Sequence, residues 1–302
     1  MHPGRPVLAI VVLLVLLGGA VGLQAVRERR PDLTPPQVSQ SSLLYIRSGS
    51  VLQRAALSYD GLVADLYWIR ALQHFGRTKL STREGKQYDR LYPLLDLTTT
   101  LDPRFDIAYR FGAVFLAEAY PGGAGRPDDA IALLRKGLAQ QPAKWQFAQD
   151  IGFVHYWWKH DYTEAAAWFR KAGQMPGAPN WLEPLAAVTL ARGGNRASSR
   201  RLWQEVLATA RVDAEWLRPQ AEFRLAQLDA MDQIAAIERV IAAYRARVGD
   251  QPSTWADLIR TGFLRGVPRD PSGTPYAMNP YWGTVTLQPD SPLAPLPVEQ
   301  AP

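Results

Sequence analysis

Four histidines, at positions 2, 74, 155 and 160, are the first candidates for chemistry in this chain. His155 and His160 stand five residues apart, with Asp161 and Glu164 close by. Imidazole and carboxylate donors of this kind hold zinc. A five-residue step is poor spacing for one helical face, however, and a zinc site also needs an ordered outer shell. The two histidines read better as solvated loop and groove residues. Gly122-Gly123-Ala124-Gly125 has the composition of a phosphate loop, but no Lys-Ser/Thr follows it and it lies between helices, so it reads as a connector. There is no Gly-x-Ser-x-Gly elbow. Asp60, Asp65, Asp102 and Asp106 occur in pairs, yet helix capping accounts for Asp60 and Asp102 without acid–base work. The chain has no cysteine, which excludes disulfides, thiolate chemistry and Cys-ligated zinc. The expectation is a chain with no catalytic residues, no metal and no cofactor, and therefore not an enzyme.

What remains is binding. Tyr156, Trp157, Trp158, Tyr162, Trp168 and Phe169 form a dense aromatic group. Consecutive tryptophans on a helix point in different directions, so not all of these rings can be core. The rest can line a groove, where rings and Arg make good anchors for a peptide. The candidate surface is Tyr109, Arg110, Tyr156, Trp157, Lys159 and Arg192. Exposed rings opposed by carboxylates would instead suit a glycan.

These residues sit in a recurrent pattern. Ala130, Leu134, Gly137 and Pro142 stand at offsets 0, +4, +7 and +12. Ala165, Phe169 and Ala172 repeat the first three, and Ser199, Trp203 and Val206 repeat them again. Phe111-Gly112 and Ile151-Gly152 recur in the same way ahead of them. Ala130, Ala165 and Ser199 are 35 and 34 residues apart, and a fixed period of about 20–50 residues marks a solenoid, in which each unit hides its apolar face only against its neighbours. Helices are expected over residues 61–75, 86–99, 105–119, from 128 or 129 to 141, 145–158, 161–171, 181–191 and 196–210. Ser58 to Asp60 is expected to cap the first of them, Asp161 the sixth, and Pro103 and Pro142 to punctuate the array.

The pattern resembles the tetratricopeptide repeat (TPR) family over roughly residues 55–212. Gly112 and Gly152 match that family's small position on the first helix of a unit. Ala130, Ala165 and Ser199 match the small position on the second helix, and Leu134, Phe169 and Trp203 the bulky one. Gly137 and Ala172 match the next small position, where Val206 fits poorly. The resemblance implies an all-α solenoid of helix hairpins whose concave groove takes a peptide or helix from a protein partner.

The ends differ in character. No polar side chain interrupts residues 7–23, and with residues 24–26 the run reaches about 30 Å as a helix, enough to cross a bilayer. We expect a retained anchor over residues 1–30. Arg5 and the small residues Gly18-Gly19-Ala20 are the features of the rival reading, a cleavable signal peptide. Arg27, Arg29 and Arg30 would favour a cytoplasmic body by the positive-inside rule, whereas a single span with a short leader places it outside. The extracytoplasmic placement is preferred. Residues 31–45 read as a Pro-rich linker and 46–212 as the repeats. Residues 213–248 read as one or two capping helices, with Pro219 near a start or kink.

In the last of these stretches Leu225, Leu228, Met231, Ile234, Ile237, Val240 and Ile241 keep a three–four spacing. This suits either the closing face of the array or a coiled coil with a partner. Residues 249–290 read as a small cap: a short helix at 254–259, an Asp270-Pro271-Ser272-Gly273 turn and a strand at 283–287. This segment resembles the C-terminal element of bacterial pseudopilin-like proteins, which implies an envelope setting. Residues 291–302 read as a disordered tail.

The net charge is +6, and only six of the 34 basic residues are Lys. Arg residues are scattered among carboxylates rather than forming a basic stripe, so nucleic acid is not an expected partner. The sequence therefore leads to a membrane-anchored scaffold or adaptor for protein–protein interaction, with an accessory protein for a polysaccharide or its synthase as the alternative.

Overall fold

The computed structural model describes residues 18–19, 49–56, 58–82, 84–209 and 216–300. The chain divides into two units, residues 1–48 and 49–302, of which the second carries the architecture that follows. The expected anchor at 7–26 lies outside the described residues apart from Gly18 and Gly19, as does the expected linker at 31–45. Among the described residues no helix is long and apolar enough to cross a membrane.

The second unit is mostly helical, with eleven helices and one small two-stranded sheet among its described residues. The order is α1 (Gly49–Ala55), α2 (Asp60–Leu80), α3 (Leu91–Leu101), α4 (Asp106–Ala117), α5 (Pro127–Gln140), α6 (Trp145–Val154), α7 (Tyr162–Gly173), α8 (Leu182–Arg192), α9 (Arg196–Thr209), α10 (Leu217–Val248) and α11 (Trp255–Arg260). A π-helical turn, His155–Lys159, extends α6, and β1 (Ala277–Asn279) pairs antiparallel with β2 (Thr284–Thr286).

Consecutive helices pack as pairs: α2 with α3, α4 with α5, α6 with α7 and α8 with α9. The small residues of the sequence pattern lie at these contacts. A Cβ at Gly112 would stand 2.9 Å from Leu95 and 3.1 Å from Leu133, and one at Gly137 2.9 Å from Tyr109. Position 109 thus meets 137 and position 112 meets 133, so α4 and α5 run antiparallel. At Gly152 a Cβ would lie 2.5 Å from the Phe169 ring, which is why α6 and α7 approach so closely. Ala130, Leu134, Gly137, Ala165, Phe169, Ala172, Ser199, Trp203 and Val206 are all buried. Repeat-like packing of helix pairs is compatible with a solenoid.

Local chemistry sets most boundaries. Pro127 opens α5 at its first position, where no intrahelical donor is lost. Asp161 caps α7 by accepting from the Glu164 amide at 3.0 Å, and Asn195 accepts from the Ser198 amide at 3.1 Å at the start of α9. Two boundaries differ from expectation. Helix α2 starts at Asp60 with no side-chain cap and runs on to Leu80. Helix α3 starts five residues later than expected, because residues 86–90 are drawn into a loop. There Tyr88 is buried beside Phe75, and its hydroxyl donates to the Pro121 carbonyl at 3.0 Å.

Helix α10 is one continuous helix of 32 residues, with Pro219 tolerated in its first turn. Its stripe is divided between two cores. Leu228 and Met231 join the core built from α6 to α9, while Ile237 and Ile241 join the cap around Leu258, Tyr276 and Val285. The stripe is therefore the closing face of the array rather than a free coiled-coil seam. The cap forms as read, with a Thr254/Asp257 capping box on α11 and Gly273 at φ +91° in the Asp-Pro turn.

The tail corrects its expectation of disorder. Leu293 is buried, and the Gln227 side-chain amide donates to the Leu293 and Pro295 carbonyls at 2.9 Å each. Glu299 receives both Nε (2.5 Å) and Nη2 (2.7 Å) of Arg196, and the Gln300 amide donates to the Arg192 carbonyl. Prolines restrict this segment in the unfolded chain, so ordering it loses less entropy than its composition suggests.

Candidate functional site

The six candidate residues separate into three groups. Tyr109 is fully buried and is not part of a surface. Its ring packs on Phe147 at 5.2 Å in the space left by Gly137, and its hydroxyl donates to the Thr99 carbonyl at 3.2 Å. Burial pushes that hydroxyl up to about 12, so it stays protonated as a donor. The sequence carried the signal: Tyr109 shares a helical face with Gly112, Ala113 and Leu116, all of them buried.

Lys159 also leaves the group. Its ammonium pairs with Asp128 at 2.7 Å, in the first turn of the second helix α5. That contact holds the Asp128 carboxyl below its ordinary value.

Arg110, Tyr156, Trp157 and Arg192 do lie on the first helices of successive pairs or just beyond them. Arg110 on α4 makes a two-pronged contact with Asp150 on α6, Nε to Oδ2 at 2.5 Å and Nη2 to Oδ1 at 3.1 Å. Burial pushes the Asp150 carboxyl up in spite of these bonds. Arg192, the last residue of α8, donates to the Tyr156 hydroxyl at 2.7 Å. Trp157 stands edge-on to Tyr156 at 4.9 Å and is 57% exposed. Tyr162 adds a third ring at 5.4 Å from Tyr156.

The π turn explains a further correction. His155, expected in solvent, is buried, and neither ring nitrogen has a hydrogen-bond partner. The wider turn carries the chain from Val154 to Lys159, and its last carbonyl ladder is closed by the Asp161 amide on His155. Burial holds the imidazole below its ordinary value, so it is neutral at pH 7. His160 is exposed, in a left-handed conformation. The two histidines do not converge, and among the described residues no group of three donors could hold a metal ion.

A further exposed stripe, not among the residues expected from the sequence, runs along α4. Ile107, Phe111 and Val114 on α4 are 53%, 56% and 44% exposed. They follow one another at i, i+4 and i+7, opposite the buried Ala108, Gly112 and Leu116. The signal was present in the spacing, but the same spacing marks a core face, and only the packing distinguishes the two. The second-helix side has a different character. A depression of about 880 Å³ lies between α7 and α9. Its lining mixes Leu190, Leu202 and Ala166 with Gln174 and the Arg170–Glu205 ion pair.

No family model matches the chain, and neither a curated protein nor a solved structure does so.

Proposed function

We propose that this chain is a membrane-anchored scaffold of the tetratricopeptide type, which captures an amphipathic helix of a protein partner along α4, α6 and α8. The reading rests on the exposed line Ile107, Phe111 and Val114. Large apolar side chains gathered on one helix face and left to solvent mark an interaction surface. Their i, i+4, i+7 order makes one continuous apolar stripe along α4, against which the apolar face of a partner helix can lie. Trp157, on the turn that extends α6, adds a second exposed ring of the kind that dominates binding energy. The polysaccharide alternative needs rings opposed by free carboxylates, whereas Asp150 beside this face is already engaged by Arg110. Residues 7–26 supply the anchor, with the body outside the cytoplasm in an envelope assembly.

The test is photo-crosslinking in native membranes from position 111 and from position 157, with the crosslinked peptide identified. The expected product is one amphipathic segment reached from both positions, with capture from position 157 lost on Phe111→Arg. Equal capture from Gln204 on the second-helix side, or capture indifferent to Phe111→Arg, would overturn the reading. A reporter fused to the C-terminus checks the sidedness.

A further inference from the structure

Solenoids need end units with a polar outer face, because the last helix has no neighbour to cover it. The C-terminal end meets this need through α10, the cap and the tail. Helix α2, in the first helix pair, does not. Its buried residues Ala64, Tyr67, Ala71, His74 and Phe75 face the array. On the other side Leu62, Leu66, Ile69 and Leu80 are 61%, 49%, 46% and 84% exposed. At about 100° per residue these four fall within one arc of roughly 60°. Trp68 and Phe75 point elsewhere, stacking on Phe115 of α4. The exposed stripe is thus the edge on which a preceding unit would lie.

We propose that this edge is covered by a second copy of the chain, with the two α2 helices antiparallel across a two-fold axis. Charge selects both the occupant and its direction. The N-terminal half of α2 carries Asp60 and Asp65, and the C-terminal half carries the exposed Arg77, while Lys79 beyond it is held by Glu118 of the same chain at 2.8 Å. Antiparallel pairing sets each acidic half against a basic half and opposes the helix dipoles, whereas parallel pairing stacks like on like. Centring the axis between Ile69 and Gln73 sets Leu62 against Leu80 of the second copy and Asp65 against its Arg77. Leu66 then meets Gly76, where even a Cβ would find nothing within 4 Å. The open space accepts the leucine. A two-fold pairing buries the same patch on both copies and closes, so the exposed edge does not propagate into fibres.

The absence of cysteine makes the test clean. Full-length chains carrying Leu62→Cys and chains carrying Leu80→Cys are mixed in lipid nanodiscs and treated with a short bismaleimide. Crosslinks are expected between the two variants and not within either. Leu66→Arg is expected to lower the yield about ten-fold, as is Asp65→Arg, while Asp65→Arg with Arg77→Asp restores it. All of these positions are exposed or half-exposed, and far-ultraviolet circular dichroism confirms folding. Like-with-like crosslinks, a chain that stays monomeric, or a yield unmoved by Leu66→Arg would each overturn the proposal. The last of these would place any association elsewhere, for example in residues 7–26. The outcome is independent of capture at Phe111.

Discussion

Arg192 and Tyr156 are 36 residues apart and joined at 2.7 Å, guanidinium to hydroxyl, between like positions of neighbouring pairs. Arg110–Asp150, Lys136–Asp96 and Arg170–Glu205 repeat the relation at separations of 40, 40 and 35 residues. Each hairpin is too thin to bury its own apolar side, so apolar contact holds the units together, while these directional clasps set how one unit sits on the next.

Removing the Tyr156 hydroxyl isolates one clasp. Tyr156→Phe keeps the ring under Arg192, at 5.3 Å from its centroid, and is expected to cost about 1 kcal/mol. Arg192→Ala also removes the cation from over Tyr162 and strips the packed stem, and is expected to cost about 2 kcal/mol. Urea midpoints of the two variants check the order. A larger loss for Tyr156→Phe would contradict it.

Gly152 is required by space. Alanine gains about 1 kcal/mol of helix propensity but forces a Cβ against the buried Phe169 ring. Overpacking costs about 1–3 kcal/mol, so the net sign is destabilising. Phe169→Leu alone leaves a void, and together with Gly152→Ala it is expected to cost less than the two changes summed. Additive losses in a double-mutant cycle would show that the ring is not the obstacle.

Stability is expected to fall as the solution is acidified below pH about 6.5, the ordinary histidine value. Burial lowers His155 foremost; Lys159 and Arg135 lower it further, against Asp161 and Glu164. His74 is lowered chiefly by burial and by Arg90. The unfolded chain therefore binds these protons first, and the native state loses ground as pH drops through that window. Melting temperature against pH should flatten in His155→Leu. An unchanged slope in His155→Leu and in His74→Leu would refute the assignment.

The tail is expected to act as a strap on the last helices. Truncation after position 290 uncovers the site of Leu293 and leaves the Gln227 amide without its two carbonyls. The expected loss is about 2–4 kcal/mol. Asp270→Ala should loosen the same end, since its carboxylate accepts from Ser291 at 2.5 Å, where the tail begins. Burial raises that carboxyl, but hydrogen bonds from Ser272, Ser291 and Thr274 together outweigh it and hold it below its ordinary value. Hydrogen exchange of residues 220–231 reports both effects, and protection unchanged by truncation would mean the tail merely rests there.

Much of the fold was legible because it is local and periodic. Gly112, Gly137 and Gly152 announce close helix contacts, Asp161 announces a helix start, and the Asp270–Gly273 turn announces itself. Spacing identifies a helix face but not what covers it. Tyr109 and Phe111 stand two residues apart on α4, yet one is buried on Gly137 and the other faces solvent, a difference made by α5 packing on a single side. Lys159 found Asp128 and the tail found Gln227 for the same reason: their partners lie about 30 to 70 residues away in sequence. Periodicity and turn chemistry along the chain specify the helices, the repeat and the apolar faces. Which of those faces stay open depends on packing, since exposure belongs to the arrangement of neighbouring helices and not to any one of them.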